Sequence, residues 1–269
     1  MLKTLKKFLK KFNFVKGICT VCGEQTKFKL FFTISIVFST RLFHMPSFFA
    51  PRESFICINC NSNARNRHLA KVLSDTYKIN TPYSLKKFAH TKPKLKIYEP
   101  QASGSIHNVL KNLDGYVCSE FFKDTQLGKL SKNGILCEDL QNLTFHDNSF
   151  DVVITQDVLE HVRDPKQALR EIYRILKPSG YHIFTIPYNF IRKTRKRIAL
   201  NEKKDTYLLP KKFHGDSIRD GLVYTEFGKD FLSFVDLRNT TTKNVYKDGI
   251  WNKKHRFYLS NVFIAQKNR

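Results

Sequence analysis

No apolar run in this chain approaches the ~18 residues that a membrane-spanning helix needs. The longest, residues 30–38, is bracketed by Lys29 and Arg41 in a sequence of 269 residues, so no transmembrane segment is expected. No secretory signal is expected either, because that run begins only after Cys22. Cysteines without such a signal fit a reducing compartment, which makes the expected location cytoplasmic. Acidic residues are scarce: 23 Asp and Glu face 47 Lys and Arg, a formal net charge of +24. That balance favours anionic partners such as nucleic acid, acidic lipid or phosphorylated sugar. Lysines that merely solvate the surface, as in a chain from an AT-rich genome, account for the excess equally well. Internal repeats are absent. Disorder is excluded by 41% hydrophobic residues, 24 Phe among them, and the length suits one α/β domain plus a small module.

Residues 1–14 place Leu2, Leu5, Leu9 and Phe12 at helical spacing, with lysines around the rest of the circumference. The pattern predicts a basic amphipathic helix over 1–16, packed on the domain or lying peripherally on an anionic membrane. Next comes Cys19-Thr-Val-Cys22, a spacer of 34 residues, and Cys57-Ile-Asn-Cys60. Two residues between cysteines let a tight knuckle aim both thiolates at one ion, and two knuckles complete the closed tetrahedral shell of structural zinc. Cys19, Cys22, Cys57 and Cys60 are therefore the expected zinc ligands of a ribbon module over 17–73. His68 is a conceivable substitute ligand. A helix is expected over 65–73, then a connection over 74–94.

From residue 95 onward short strands alternate with helices. Strands are expected at 95–99, 115–120, 134–137, 150–155 and 181–186, and residues 261–265 read as a final edge strand. The clearest helix has Asp164 as N-cap, Pro165 in its first turn, and Ala168, Leu169, Ile172, Ile175 and Leu176 as its buried stripe. This alternation predicts a Rossmann-like, doubly wound α/β domain over 95–269 with a mostly parallel sheet, behind the N-terminal four-cysteine zinc ribbon.

The string Phe150-Asp-Val-Val-Ile-Thr-Gln-Asp-Val-Leu-Glu-His-Val-Arg-Asp-Pro165, with Leu176-Lys-Pro-Ser-Gly180 and His182-Ile-Phe-Thr-Ile-Pro187, carries a family resemblance. Residues 95–186 resemble the core of class I S-adenosylmethionine-dependent methyltransferases, closest to the type 11 group. The ribbon followed by Arg65-Asn-Arg67 is similar to zinc-ribbon members of that group. The resemblance implies that S-adenosylmethionine sits in the loop Glu99-Pro-Gln-Ala-Ser-Gly104, with Glu99, Gln101, Ser103 and Gly104 near its methionine part and Ser105 capping the next helix. The usual glycine-rich form of this loop is reduced here to Gly104. Glu120, 21 residues after Glu99, is placed to accept the ribose hydroxyls. Similarity to the family assigns Asp139 to the adenine amino group and the backbone at Leu140 to a ring nitrogen, with Gln156 facing the same crevice.

Methyl transfer from a sulfonium is an in-line displacement, so alignment supplies most of the catalysis and a base is optional. His161 is the candidate base, or else a structural hydrogen-bonder. Asp157, Glu160 and His161 together resemble the cluster of ubiquinone-pathway O-methyltransferases in which a divalent ion assists. Residues 189–221 form a basic insertion with ten Lys or Arg against four acids, which suits an anionic acceptor, and Tyr188, His214, Asp216 and Tyr224 are polar groups near it. The leading expectation is a small-molecule or glycan methyltransferase acting on oxygen or nitrogen. Alternatives are an RNA or protein methyltransferase, or a non-enzymatic binding module on a degenerate fold. The absence of Asn/Asp-Pro-Pro-Tyr after the fourth strand speaks against base N-methylation, and no Cys there serves pyrimidine attack.

Overall fold

The computed structural model describes residues 14–30, 51–77, 84–91, 94–201, 205–213, 221–234, 240–244, 252–256 and 260–269. The helix expected from residue 1 lies outside these up to residue 13. Its last expected residues are strand, since Phe14–Ile18 forms β1. β1 pairs antiparallel with β2 (Gln25–Lys29), which pairs with the short β3 (Ile56–Cys57). Each Cys-x2-Cys turn closes the same way: the N–H of Gly23 donates to the Cys19 carbonyl at 2.7 Å, and that of Asn61 to the Cys57 carbonyl at 2.9 Å. Gly23 and Asn61 both have positive φ, +84° and +58°, the conformation glycine and asparagine tolerate best.

Helix α1 (Ala64–Thr76) follows the second knuckle directly. Asn63 caps it, accepting from the Asn66 N–H at 2.8 Å while its own N–H donates to Asn66 Oδ1 at 3.2 Å, a reciprocal capping box. Residues 74–94 are more than a connection: they hold the end of α1 and a further helix, α2 (Leu85–His90), capped by Ser84.

Among the described residues the central sheet has seven strands. In chain order they are β4 (Ile97–Glu99), β5 (Tyr116–Glu120), β6 (Leu136–Cys137), β7 (Phe150–Gln156), β8 (Leu176–Thr185), β9 (Thr240–Asn244) and β10 (Phe263–Lys267). Their spatial order is β9-β10-β8-β7-β4-β5-β6, parallel from β8 to β6, with β10 antiparallel to its neighbours. β10 is thus an interior strand, not the edge expected from its sequence, because β9 covers its outer side. Residues Phe231–Phe234 form a short helix.

Helix α3 (Gly104–Leu110) follows β4, and α4 (Pro165–Ile175) follows β7. Asp164 caps α4 as expected, its carboxylate accepting from the N–H groups of Lys166 and Gln167. Ser105 does not cap α3; that position belongs to Ser103, whose side chain makes no cap hydrogen bond.

Alternate residues of β7 separate two apolar layers, as the two-residue period of a strand requires. Val153 packs with Leu169, Ile172 and Phe231 on one side. Val152 and Ile154 pack on the other with Leu69, Leu73 and Ile106, and that layer continues into Cys19, Val21, Phe28 and Cys57 of the N-terminal module. The cysteine module therefore shares a core with the sheet. Arg67 fastens the two: wholly buried over the Phe28 ring, its guanidinium donates to the carbonyls of Phe55, Ser62, His255 and Arg256. Loss of water lowers its pKa to about 10.

Candidate functional site

In a doubly wound sheet the ligand crevice lies at the carboxyl ends of the strands where the order reverses. Here that point is between β4 and β7. β4 ends on Glu99 and β7 on Gln156, and the Gln156 amide donates to Glu99 Oε1 at 2.6 Å. Tyr116 donates to the other oxygen, also at 2.6 Å. Glu99 is fully enclosed, deeper than a direct ligand contact would suggest. Burial pushes its carboxyl up to about 8 against the pull of the Tyr116 and Gln156 hydrogen bonds.

The loop above it opens α3 at Gly104, whose φ of +96° few other residues adopt. Gln101 is half-buried there and Ser103 exposed. The N–H of Ala102 donates to Glu120 Oε1 at 3.1 Å, so the acid that ends β5 faces this loop. Asp139 holds the turn after β6, accepting from the Gln141 N–H at 2.9 Å, while the Leu140 side chain is core. The structure thus brings Glu99, Gln101, Gly104, Glu120 and Gln156 to one crevice, with Asp139 and Leu140 at the end of the next strand.

Asp157 follows β7 with a φ of +50°. Its carboxylate is clamped by Arg52 through two hydrogen bonds of 2.9 Å, approached by Arg65 at 3.3 Å, and accepts from Thr185 Oγ1 at 3.0 Å. Burial opposes its charge, yet Arg65 and Arg52 hold it well below the usual carboxylate range. Two guanidiniums occupy the place where the resemblance to the ubiquinone-pathway cluster put a divalent ion. Asp157, Glu160 and His161 do not form a metal-holding group among the described residues.

Glu160 is buried, and loss of water together with the Asp157 charge raises it to about 8. His161 ends a 3-10 turn (Leu159–His161) and is not part of α4. Its Nδ1 lies 3.0 Å from the Leu222 carbonyl, which fixes the proton on that nitrogen, and Nε2 is 3.6 Å from Glu160.

Beside this cluster is a cavity of about 350 Å³ whose wall includes Arg52, Glu160, Tyr188, Arg192, Lys193, Arg195, Lys212 and Glu226. Glu226 pairs with Arg195 at 2.6 Å, Lys212 at 2.5 Å and Arg197 at 3.1 Å. Burial pushes its carboxyl up, but Lys212 and Arg195 bring it down to about 2. Five cations line the cavity against two acids, and one of those acids is raised. Tyr188 is in the wall, whereas Tyr224 contributes its backbone N–H to the Glu160 carbonyl at 2.8 Å. His214 and Asp216 lie outside the described residues.

The four cysteines of the knuckles converge, with all four Sγ atoms within 4.8 Å of one another. Cys19 and Cys60 are 3.6 Å apart and Cys22 and Cys57 3.9 Å. A tetrahedral zinc with ~2.3 Å bonds needs sulfur–sulfur edges of about 3.8 Å, so this donor set fits the ion. His68 is not among the donors; its Nδ1 meets the Ser260 carbonyl at 2.6 Å.

Arg52, Arg65, Asn66, Tyr116 and Thr185 were not singled out as site residues from the sequence. The one signal was the Arg65-Asn-Arg67 string behind the second knuckle, whose partners in the crevice, Asp157 for Arg65 and Gln156 for Asn66, lie far away in sequence.

Residues 104–184 match the family described as "Methyltransferase domain". An uncharacterized protein of Methanocaldococcus jannaschii is 35% identical over 106 residues, 38% of this chain and 44% of that protein. The glycine/sarcosine/dimethylglycine N-methyltransferase of Actinopolyspora halophila is 43% identical over 103 residues, 36% of this chain and 16% of the enzyme. Among solved structures, an S-adenosylmethionine dependent methyltransferase from Mesorhizobium loti aligns with a TM-score of 0.38 and 14% identity over 68% of this chain and 95% of that one. The chain spans less than half the length of the first curated relatives it matches, from 15% to 44%. It is the central part of the chain, residues 104–184, that is similar to this methyltransferase domain family.

Proposed function

We propose that the chain transfers a methyl group from S-adenosylmethionine to a small anionic molecule or glycan, and that its four cysteines hold a structural zinc. The observation that carries this reading is the meeting, at the reversal of strand order, of Glu99, just ahead of the matched residues, with Glu120, Gln156 and the Gly104 turn, which lie within them. Glu120 suits the ribose hydroxyls. Asp139 and the Leu140 backbone suit the adenine edge, and the loop with Gln101, Ser103 and Gly104 suits the methionine part. Glu99 acts from beneath the loop, as a buried carboxylate under a ligand that carries an ammonium and a sulfonium.

The basic cavity supports the anionic acceptor, because five cations in a partly closed space raise the local concentration of a carboxylate or phosphate. In-line displacement needs the acceptor atom held against the methyl group, and the cavity wall and crevice supply that alignment. For a hydroxyl acceptor, His161 Nε2 is the group to take the proton, since Nδ1 is committed to the Leu222 carbonyl. Four thiolates would fill the coordination shell of zinc, leaving the ion no catalytic position.

Calorimetric titration of S-adenosylmethionine and S-adenosylhomocysteine tests the reading. Micromolar binding by the parent that is lost in Glu120→Ala and Asp139→Ala supports it. No binding by folded, zinc-loaded protein overturns it and leaves a binding module.

A further inference from the structure

The N-terminal module reaches into the crevice. Asn66, on the first turn of α1, donates from Nδ2 to Gln156 Oε1 at 2.7 Å, and Gln156 Nε2 in turn donates to Glu99. The polarity of this chain is set at its far end. The backbone N–H of Asn63 is a donor that cannot be reversed, and it points at Asn66 Oδ1 at 3.2 Å. That commits the oxygen of Asn66 to the cap and its NH2 to Gln156, and it commits the oxygen of Gln156 to Asn66 and its NH2 to Glu99. A reversed Gln156 amide would turn a carbonyl oxygen toward a carboxylate.

The cysteine knuckles fix where Asn66 stands. Ser62 Oγ lies 3.3 Å from Cys19 Sγ and 3.2 Å from Cys60 Sγ, and the Ser62 carbonyl accepts from both the Cys57 N–H and Arg67 Nη1. Asn63, the cap of α1, is the next residue. A short and mostly buried path therefore runs from the four sulfurs through Ser62, Asn63 and Asn66 to Gln156 and Glu99.

We propose that Asn66 is a positioning residue of the methyl-donor site: delivered by the cysteine module, it orients the Gln156 amide so that its N–H faces Glu99. The inference rests on the reading that the crevice binds S-adenosylmethionine. A ligand bearing positive charge on its methionine half is best served by an ionised Glu99, and a donor aimed at that carboxyl favours the ionised form. The other groups around Glu99 are the Tyr116 hydroxyl, with His107 Nδ1 3.0 Å behind it, and the Cys118 thiol on β5. None of these is altered by a change at Asn66.

Asn66→Asp is the discriminating variant. It keeps an oxygen for the Asn63 N–H but cannot donate to Gln156, whereas Asn66→Ala loses both interactions. The test is titration of S-adenosylhomocysteine into the full chain between pH 6 and 9, with zinc content assayed in parallel. Lys71→Gln, on the same helix but paired with Asp75, is the control. The expected result is an affinity lower by roughly three- to tenfold in Asn66→Asp, the scale of one buried hydrogen bond. The pH at which affinity begins to fall should also move upward, while zinc stays bound and Lys71→Gln matches the parent. Equal affinity and an unchanged pH profile in Asn66→Asp would overturn the assignment.

Should the parent itself fail to bind, the methyl-donor reading is what fails. The relay is then judged by hydrogen exchange of residues 155–161 after zinc is chelated. Faster exchange there, reproduced by Asn66→Asp with zinc in place, supports the coupling; unchanged exchange refutes it.

Discussion

Replacing Asp157 by Asn keeps the shape of the side chain and removes the more buried of the two charges that Arg52 and Arg65 share. The two arginines would then keep only Glu53, at 3.3 Å and 3.0 Å and 40% exposed, beside a neutral amide, with Arg52 about 20% and Arg65 14% exposed. Breaking a buried pair by neutralising one partner costs about 3–5 kcal/mol; with water still reaching both arginines, about 3 kcal/mol is expected. For a chain of this size that corresponds to a fall in melting temperature of roughly 6–12 °C, measured by circular dichroism at pH 7.

The pH dependence has a definite sign. The folded Asp157 titrates below its ordinary value, so its contribution is complete above the unfolded value of about 3.9 and is lost as pH falls through the folded one. The gap between parent and Asp157→Asn should be constant from about pH 7 to 5 and narrow below about pH 4. A variant melting within about 2 °C of the parent at pH 7 would refute the argument that this carboxylate holds the two arginines in place.

Glu160 titrates in the opposite sense: raised from 4.5 to about 8 by burial, it makes the fold lose stability as pH rises through that interval. Melting curves from pH 5 to 8 should therefore fall more steeply for the parent than for Glu160→Gln, and parallel curves would contradict the burial cause. Zinc content should be about one ion per chain, and chelation should lower the melting temperature along with it; a chain that carries no zinc and melts unchanged in chelator would show that the knuckles stand without metal. Leu169→Ala opens a void on the sheet side of α4, where Leu169 is 1% exposed. A loss of about 2–5 kcal/mol in urea unfolding is expected, and a loss below about 1 kcal/mol would mean the site collapses freely.

Much of this fold was legible because its signals are local. The stripe of Ala168, Leu169, Ile172 and Ile175 repeats at the helix period, and Asp164 with Pro165 announces the start. Val152, Val153 and Ile154 form the continuous apolar run of a strand buried on both faces. Each Cys-x2-Cys is followed by Gly23 or Asn61, the residues that tolerate the positive φ closing a knuckle. Where the deciding contact was not local, the reading failed: residues 261–265 gave no hint that β9 would cover β10. The 3-10 turn that ends on His161 ahead of Pro165 had no local signal either.

The sequence by itself determined the main strands of the parallel sheet, helix α4, the two cysteine knuckles and the acids at successive strand ends, since each follows from backbone geometry and the spacing of neighbouring side chains. Only the tertiary structure decided which groups those acids meet. Arg52 is 105 residues from Asp157, and Asn66 is 90 from Gln156. Such pairs arise because the cysteine module buries its apolar side in the same core as the sheet, carrying the start of α1 to the ends of β7 and β4. A polar residue on a helix end records its own cap in the sequence, but its distant partner is set by how two apolar faces fit together.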